Sequence, residues 1–363
     1  MNEKNNITMH LPKKTVTRSP AISFILPVYN VADYISRCVE SITGQITLDY
    51  EILLVDDGST DDSGTICDEL ANSNEHIHAI HKPNGGLASA RNYGLDHASG
   101  KYIFFVDSDD YLASDITQSL ERLLSGPSYD IIKFDYLQNI SSKQHRITSS
   151  VPSGVISDEA GKRKLICEAL NNEHTFVLSA WSYIYRRKFI ENEQLRFVSE
   201  REIGSEDFPF TLEAFLVARS ILVIHEPLYV YDLRDGSLTS TYRTNIPEKY
   251  AKLYQLLKRY YHQHVGDEYD QSLREFYIWS TYGLCSTLEY QLHNKWGRTM
   301  KQASQAMKHL FNLPDFRQAI LEYDCHGDSI KRKILITIMR HRWEWLLSSF
   351  YACKQQLGRL LHQ

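Results

Sequence analysis

The chain predicts an α/β fold, a mainly parallel sheet covered on both faces by helices, followed by a helical C-terminal region. Three observations carry this expectation. Between residues 22 and 110, strand-like and helix-like segments alternate four times, the pattern of a wound α/β sheet. Polar side chains gather where each of those strands ends. From about residue 246 onward strand signals vanish, and helical patterns rich in Leu, Tyr, Lys and Gln run to the end.

Residues 22–28 (ISFILPV) read as the first strand, with Pro27 at its end, where a missing amide is tolerated. Asn30 is expected to cap the next helix, with Asp33 in its first turn. Val31, Tyr34, Ile35, Cys38, Val39 and Ile42 give that helix an apolar face, and Gly44 stops it. Residues 50–55 form a second strand running into Asp56 and Asp57, and Ser59 or Thr60 is expected to cap the helix beyond. A third strand alternates from His76 to His81. Pro83-Asn84-Gly85-Gly86 then leads into a helix containing Ala90-Arg91-Asn92, which Gly100 ends.

Residues 101–110 (KYIFFVDSDD) organise the rest. A short buried strand finishes in Asp107, Asp109 and Asp110. Clustered carboxylates repel unless something positive sits among them. A hard divalent cation prefers oxygen ligands and keeps phosphates and water in its shell. Ligands of α/β sheets bind outside the carboxyl ends of the strands, so the Asp-x-Asp stands where a metal could bridge to a nucleotide diphosphate. A solvated Asp-rich turn is the other reading. The polar clusters at Tyr29-Asn30, Asp56-Asp57, Asn84 and Asp107–Asp109 share one sheet edge, which describes a site. That edge lacks both GxGxxG and GxxxxGK[ST], so phosphate is expected on a metal rather than in a glycine-rich cradle.

Farther on, a helix spans about 114–124 and a strand 129–136. Residues 137–155 read as a surface excursion, and a helix follows around 157–170. Trp181 lies in an aromatic stretch, 179–185. It is either a core residue or an acceptor-side ring that stacks on a sugar. Ser205 can cap the helix that begins near Phe208, with Glu206 and Asp207 in its first turn. A strand over 221–231 precedes Arg234, Asp235, Gly236 and Ser237.

Composition narrows the function class. The 363 residues carry a net charge of −5 and are 42% hydrophobic, which fits a globular chain with a sizeable core and gives no reason to expect nucleic acid. Six scattered cysteines show no CxxC or zinc spacing, so a reduced, cytoplasmic setting is expected. No stretch has the length and apolarity of a membrane span. Residues 1–20 read as a disordered polar tail, 21–245 as the α/β domain and 246–363 as the helical region. Residues 331–363 hold seven Lys or Arg against Glu344 alone, a net +6, interleaved with Trp343, Trp345 and aliphatic residues. That mixture reads either as a packed helix or as an interfacial helix on anionic lipid.

Taken in order, Ile25–Asn30, Val55–Asp61, Asn84-Gly85-Gly86 with Ala90-Arg91-Asn92, Val106–Asp110 and Glu206-Asp207 resemble glycosyltransferase family 2 over about residues 21–240. The resemblance implies a GT-A fold and an inverting transfer from a nucleotide sugar, most often a uridine one. It implies that Pro27, Tyr29 and Asn30 line the nucleotide pocket, that Asp56 accepts hydrogen bonds from the base with Asp57 beside it, and that Asn84 and Arg91 hold the nucleotide and diphosphate. Asp107, Ser108 and Asp109 would meet ribose and Mn²⁺ or Mg²⁺, with Asp107 and Asp109 the metal ligands. Asp207 would be the general base, with Glu206 its neighbour. Arg234 and Ser237 would reach the diphosphate. The acceptor is expected to be a glycan, lipid-linked at the inner face of the cell membrane. A protein or soluble glycan acceptor, and a non-catalytic sugar-binding protein on the same fold, are the alternatives. The four carboxylates Asp56, Asp107, Asp109 and Asp207 weigh against the silent protein. A processive synthase would carry membrane spans and a QxxRW-type motif, and this sequence has neither.

Overall fold

A computed structural model describes residues 8–10, 19–140, 143–171, 178–233, 245–266, 270–291 and 299–361. The chain divides into two compact units, Met1–Arg201 with Ser205–Ser237, and Glu202–Gly204 with Leu238–Gln363.

The first unit is built on one mixed sheet. Its strands are β1 (Thr8–His10), β2 (Ile22–Val28), β3 (Tyr50–Asp56), β4 (Ile77–His81), β5 (Tyr102–Phe105), β6 (Tyr111–Leu112), β7 (Ile131–Ile140), β8 (Lys143–Ile147), β9 (Gly154–Ile156), β10 (Tyr183–Arg186) and β11 (Ile221–Leu233). The order across the sheet is β1-β4-β3-β2-β5-β10-β7-β11-β6, with β8 on β7 and β9 on β11. Its helices are α1 (Ile35–Thr43), α2 (Ser63–Ser73), α3 (Leu87–His97), α4 (Thr117–Ser125), α5 (Glu159–Asn171), α6 (Arg187–Asn192), α7 (Glu200–Ile203), whose last two residues belong to the second unit, and α8 (Asp207–Val217).

The alternating stretch folds as its pattern predicts: β4, β3, β2 and β5 are mutually parallel. Every residue of β2 and β3 is buried, as continuous apolar runs in a parallel sheet require. Each fully buried Ile, Leu or Phe there contributes roughly 1.5–3 kcal/mol. Beyond residue 110 the alternation lapses, and so does the parallel sheet. β10 runs antiparallel to both β5 and β7, while β11 is parallel to β7. The sheet is therefore mixed rather than mainly parallel.

Three further expectations are corrected. Residues 137–155 are not a loose excursion, because β7 continues to Ile140 and pairs with β8. The stretch taken as a disordered tail supplies β1, antiparallel to the outer edge of β4. An edge asks only for main-chain partners, so apolar patterning does not reveal it. Asn30 is not a helix cap. Its φ is 52°, and α1 starts only at Ile35.

The second unit contains α9 (Ile246–His264), α10 (Asp270–Ser286), α11 (Met300–Asn312), α12 (Pro314–Glu322), α13 (Ile330–His341) and α14 (Glu344–Leu361). Tyr254 stacks on Tyr277 at 4.3 Å, and Phe316 meets Tyr277 edge-on at 5.6 Å. Thr299 and Gln302 form a reciprocal capping box at the start of α11.

Candidate active site

The carboxyl ends of the parallel strands lie side by side. Val28 pairs with Asp56, and Asp56 with His81. β5 stops sooner, at Phe105 opposite Ile25. This explains how a proline sits in a central strand. The carbonyl of Ile25 accepts from Val106 N and that of Pro27 from Ser108 Oγ, both on the β5 side. A residue's amide points the same way as its carbonyl in a strand, so the amide Pro27 lacks falls where β5 has already ended.

Asp56 is 5% exposed. Its Oδ1 accepts from Ser59 N at 2.9 Å, and its Oδ2 lies 2.9 Å from His81 Nδ1. His81 Nε2 reaches Asp68 Oδ1 at 3.0 Å. Burial lowers the His81 pKa, but hydrogen bonds to Asp56 and Asp68 outweigh it and leave the pKa raised. Asn30 Oδ1 accepts from Thr60 N at 2.8 Å, tying the two loops together. Beside it the Tyr29 ring is 49% exposed.

Asp57 differs from its neighbour. It is 3% exposed, and its oxygens accept from Gly85 N (2.9 Å), Gly86 N (2.7 Å) and Lys82 Nζ. It builds the loop ahead of α3, with Oδ1 accepting two of these bonds and Oδ2 one. The loop closes on Gly86, whose φ is +93°; a Cβ there would lie 2.1 Å from Glu200 Oε1. Glu200 accepts from the free amides of Leu87 and Ala88 at 3.2 Å each, capping α3 from a distant segment. Asn84 is exposed, with its Oδ1 accepting from Arg201.

Arg91 organises the centre. It is fully buried on α3. Nη1 donates to Glu206 Oε1 (2.7 Å) and Asp207 Oδ1 (2.6 Å), and Nη2 to Asp107 Oδ1 (2.7 Å). The positive partner among the carboxylates is thus a guanidinium from the chain itself. Fully buried, it is not open to a diphosphate as expected; it positions carboxylates instead. One cation cannot neutralise three anions. Burial above all, then Glu206 and Asp107, raises the Asp207 pKa against the pull of Arg91. Glu206 is raised as well, chiefly by burial. Asp207 is the first residue of α8, and Glu206 precedes it without a side-chain cap bond. The helix-start explanation for this acidic pair therefore does not account for their side chains; Arg91 does.

In the 107–110 turn, Asp107 and Asp109 are half-buried, whereas Ser108 and Asp110 are buried. Asp110 accepts from Tyr229 Oη (2.7 Å) and Asp232 N (2.8 Å). Burial, then Asp109 and Asp107, lift its pKa well above the carboxylate range. Arg37 donates to the Asp109 carbonyl and to Asp232. The turn is therefore short of positive charge. No group of three or more metal-ligating side chains gathers among the described residues. A hard cation held by Asp107 and Asp109 would have to take most of its shell from phosphate and water.

Trp181 is corrected. It is 4% exposed, stacked on Tyr229 at 4.5 Å and Tyr231 at 5.5 Å, with Tyr136 edge-on. A ring so covered has no face for a sugar. Arg234 and Ser237 lie outside the described residues. A separate cleft of about 440 Å³ opens on the helical unit. There Glu248 pairs with His309 and Asp315 with Gln255.

Comparison with known proteins bears on the family and the fold. The family model described as Glycosyl transferase family 2 matches residues 23–192. The uncharacterized glycosyltransferase EpsJ of Bacillus subtilis (strain 168) is 35% identical over 250 residues, 68% of this chain and 71% of EpsJ. Hyaluronan synthase of Pasteurella multocida is 42% identical over 103 residues, 28% of this chain and 11% of that protein. The solved structure of S. aureus TarS 1-349 in complex with UDP-GlcNAc superposes with a TM-score of 0.65 at 21% identity, covering 92% of this chain and 91% of that one; at that identity the likeness speaks for the fold.

Proposed function

Because the chain belongs to glycosyltransferase family 2, with a GT-A fold and a helical C-terminal region, we propose that it moves one sugar, with inversion, from a uridine-diphosphate sugar to a hydroxyl of a growing lipid-linked polysaccharide. The observation that carries this reading is the Arg91 cluster. It brings a raised carboxylate, Asp207, next to the acidic turn that ends β5. The name of hyaluronan synthase supports the polymer class, and the UDP-GlcNAc bound to TarS supports the donor class.

Each group has a task in this scheme. Asp56, held by Ser59 and His81, accepts from the base, and the exposed Tyr29 ring supplies a stacking face. Asp107 and Asp109 would hold Mn²⁺ or Mg²⁺, which when bound neutralises charge developing on the leaving diphosphate. Asp207 takes the proton of the acceptor hydroxyl as its oxygen bonds to the anomeric carbon. The bond from that carbon to the diphosphate oxygen breaks, and the nucleoside diphosphate leaves with the electron pair. A carboxylate with a raised pKa is a stronger base than an ordinary one, which suits this step. Glu206 and Arg91 hold Asp207 in place.

The test is transfer and hydrolysis across a panel of nucleotide sugars, with and without Mn²⁺, for the wild type and Asp207→Asn. The substitution should cost about 10²–10⁴ in rate and leave donor affinity intact. Transfer at the wild-type rate would reduce Asp207 to a structural residue.

A further inference from the structure

The helical unit carries a surface that the transfer chemistry does not use. Ten large hydrophobic side chains are exposed among the described residues, and six of them fall between Leu321 and Phe350. Scattered singly such residues need no explanation, but concentrated they mark a docking surface. On α13, Ile330 is 78% and Ile334 56% exposed, one helical turn apart, while Ile336 and Met339 are buried on the opposite side. Trp343 stands in the turn after α13, and Trp345 (58%) and Phe350 (62%) are exposed on α14.

The cations of this segment fall into two groups. Arg332 pairs with Glu275 at 2.5 Å and stands over the Trp279 ring. Arg340 donates to the carbonyls of Ile320 and Tyr323. Those two serve the fold. Lys331, Lys333 and Arg342 lie exposed among the apolar side chains, with Lys333 Nζ also donating to the His326 carbonyl at 2.8 Å. Glu344 is the one acidic residue between 331 and 351.

We propose that the exposed side of α13, the Arg342–Trp343 turn and the first two turns of α14 dock on an anionic lipid surface. Ile330, Ile334, Trp343, Trp345 and Phe350 enter the headgroup region, and Lys331, Lys333 and Arg342 meet lipid phosphates. Charge argues against a second copy as the occupant, because a two-fold contact would set this cationic patch against itself. No helix among the described residues is long and apolar enough to cross a membrane, so the contact is interfacial. The surface rests on the reading above only for its use, which is to concentrate a bilayer-held acceptor near the enzyme. Lipid binding is tested without donor or acceptor.

The full chain is sedimented with vesicles of phosphatidylcholine alone, or of equal parts phosphatidylcholine and phosphatidylglycerol, at low and high salt. Its solution mass is measured in parallel. It should pellet with the anionic vesicles at low salt, detach as salt rises, and ignore the neutral ones. Ile334→Gln with Trp345→Gln, both at exposed helix positions, should lower partitioning at least about tenfold, and Lys331→Glu with Lys333→Glu should weaken it too. Both variants should keep the wild type's donor hydrolysis in solution. The proposal is overturned if the wild type stays in the supernatant or if both variants pellet like it. It is equally overturned if the wild type is a dimer that Ile334→Gln with Trp345→Gln converts to a monomer, since a second copy then covers the face. If the wild type pellets as expected but no donor supports transfer, the lipid surface stands and the transferase reading falls.

Discussion

Asp207 carries two opposing demands. The burial and neighbouring carboxylates that raise its pKa also make its ionised form costly in the ligand-free protein. With a folded pKa above the unfolded one, the native state binds more protons from the ordinary carboxylate range up to the raised value. This group's contribution to stability therefore falls as pH rises through that window. Asp207→Asn should raise the melting temperature of the ligand-free protein at mildly alkaline pH and change it less at pH 5, while transfer is lost. A scanning calorimetry series in which the variant melts lower at pH 8 would contradict this account. Asp109→Asn asks a separate question of the acidic turn. Losing one anionic oxygen ligand should abolish most Mn²⁺-dependent affinity for UDP, and titration calorimetry with the metal present and absent reads it directly. Affinity undiminished by the change would count against Asp109 as a ligand.

Elements are where the sequence was most and least legible. The parallel core over 22–110 was legible because buried strands and amphipathic helices alternate at short range. Asn30 misled because a polar residue after a strand caps helices and bridges loops equally well, and only its bonds to Ser59 and Thr60 tell which. The link between His81 and Asp56 spans 25 residues and that between Arg91 and Glu206 spans 115. No local pattern announces such pairs. The sole hint toward His81 was its position at a strand end beside the acidic residues. The tight seating of α3 on β2 was invisible for the same reason. At Gly94 an added Cβ would lie 2.4 Å from Ile25 Cγ2. Gly94→Ala gains up to about 1 kcal/mol in helix propensity, yet the buried clash costs roughly 1–3 kcal/mol. The variant should unfold at lower urea concentration than the wild type. An increase in midpoint would mean that α3 has room to spare.

For the whole molecule, the site gathers three carboxylates on one guanidinium, so a ligand that brings a divalent cation to it should stabilise the fold. UDP with Mn²⁺ at about a hundred times its dissociation constant should add about 2.7 kcal/mol, seen as a rise in melting temperature. UDP alone should add less, and an equal rise without the metal would argue for metal-independent binding.

The Arg91 cluster also bears on how such enzymes can be recombined. The family match ends at residue 192, before Glu206 and Asp207. A chimera joined at that border would inherit the guanidinium from one parent and two of its three counter-ions from the other. If the incoming half lacked both carboxylates, the fully buried cation would lose both acceptors of Nη1 and keep Asp107 alone. Breaking a buried pair in this way costs about 3–5 kcal/mol, a large share of an ordinary protein's stability. Exchanging acceptor specificity between relatives therefore calls for a junction beyond Val217, so that Arg91, Glu206 and Asp207 travel together.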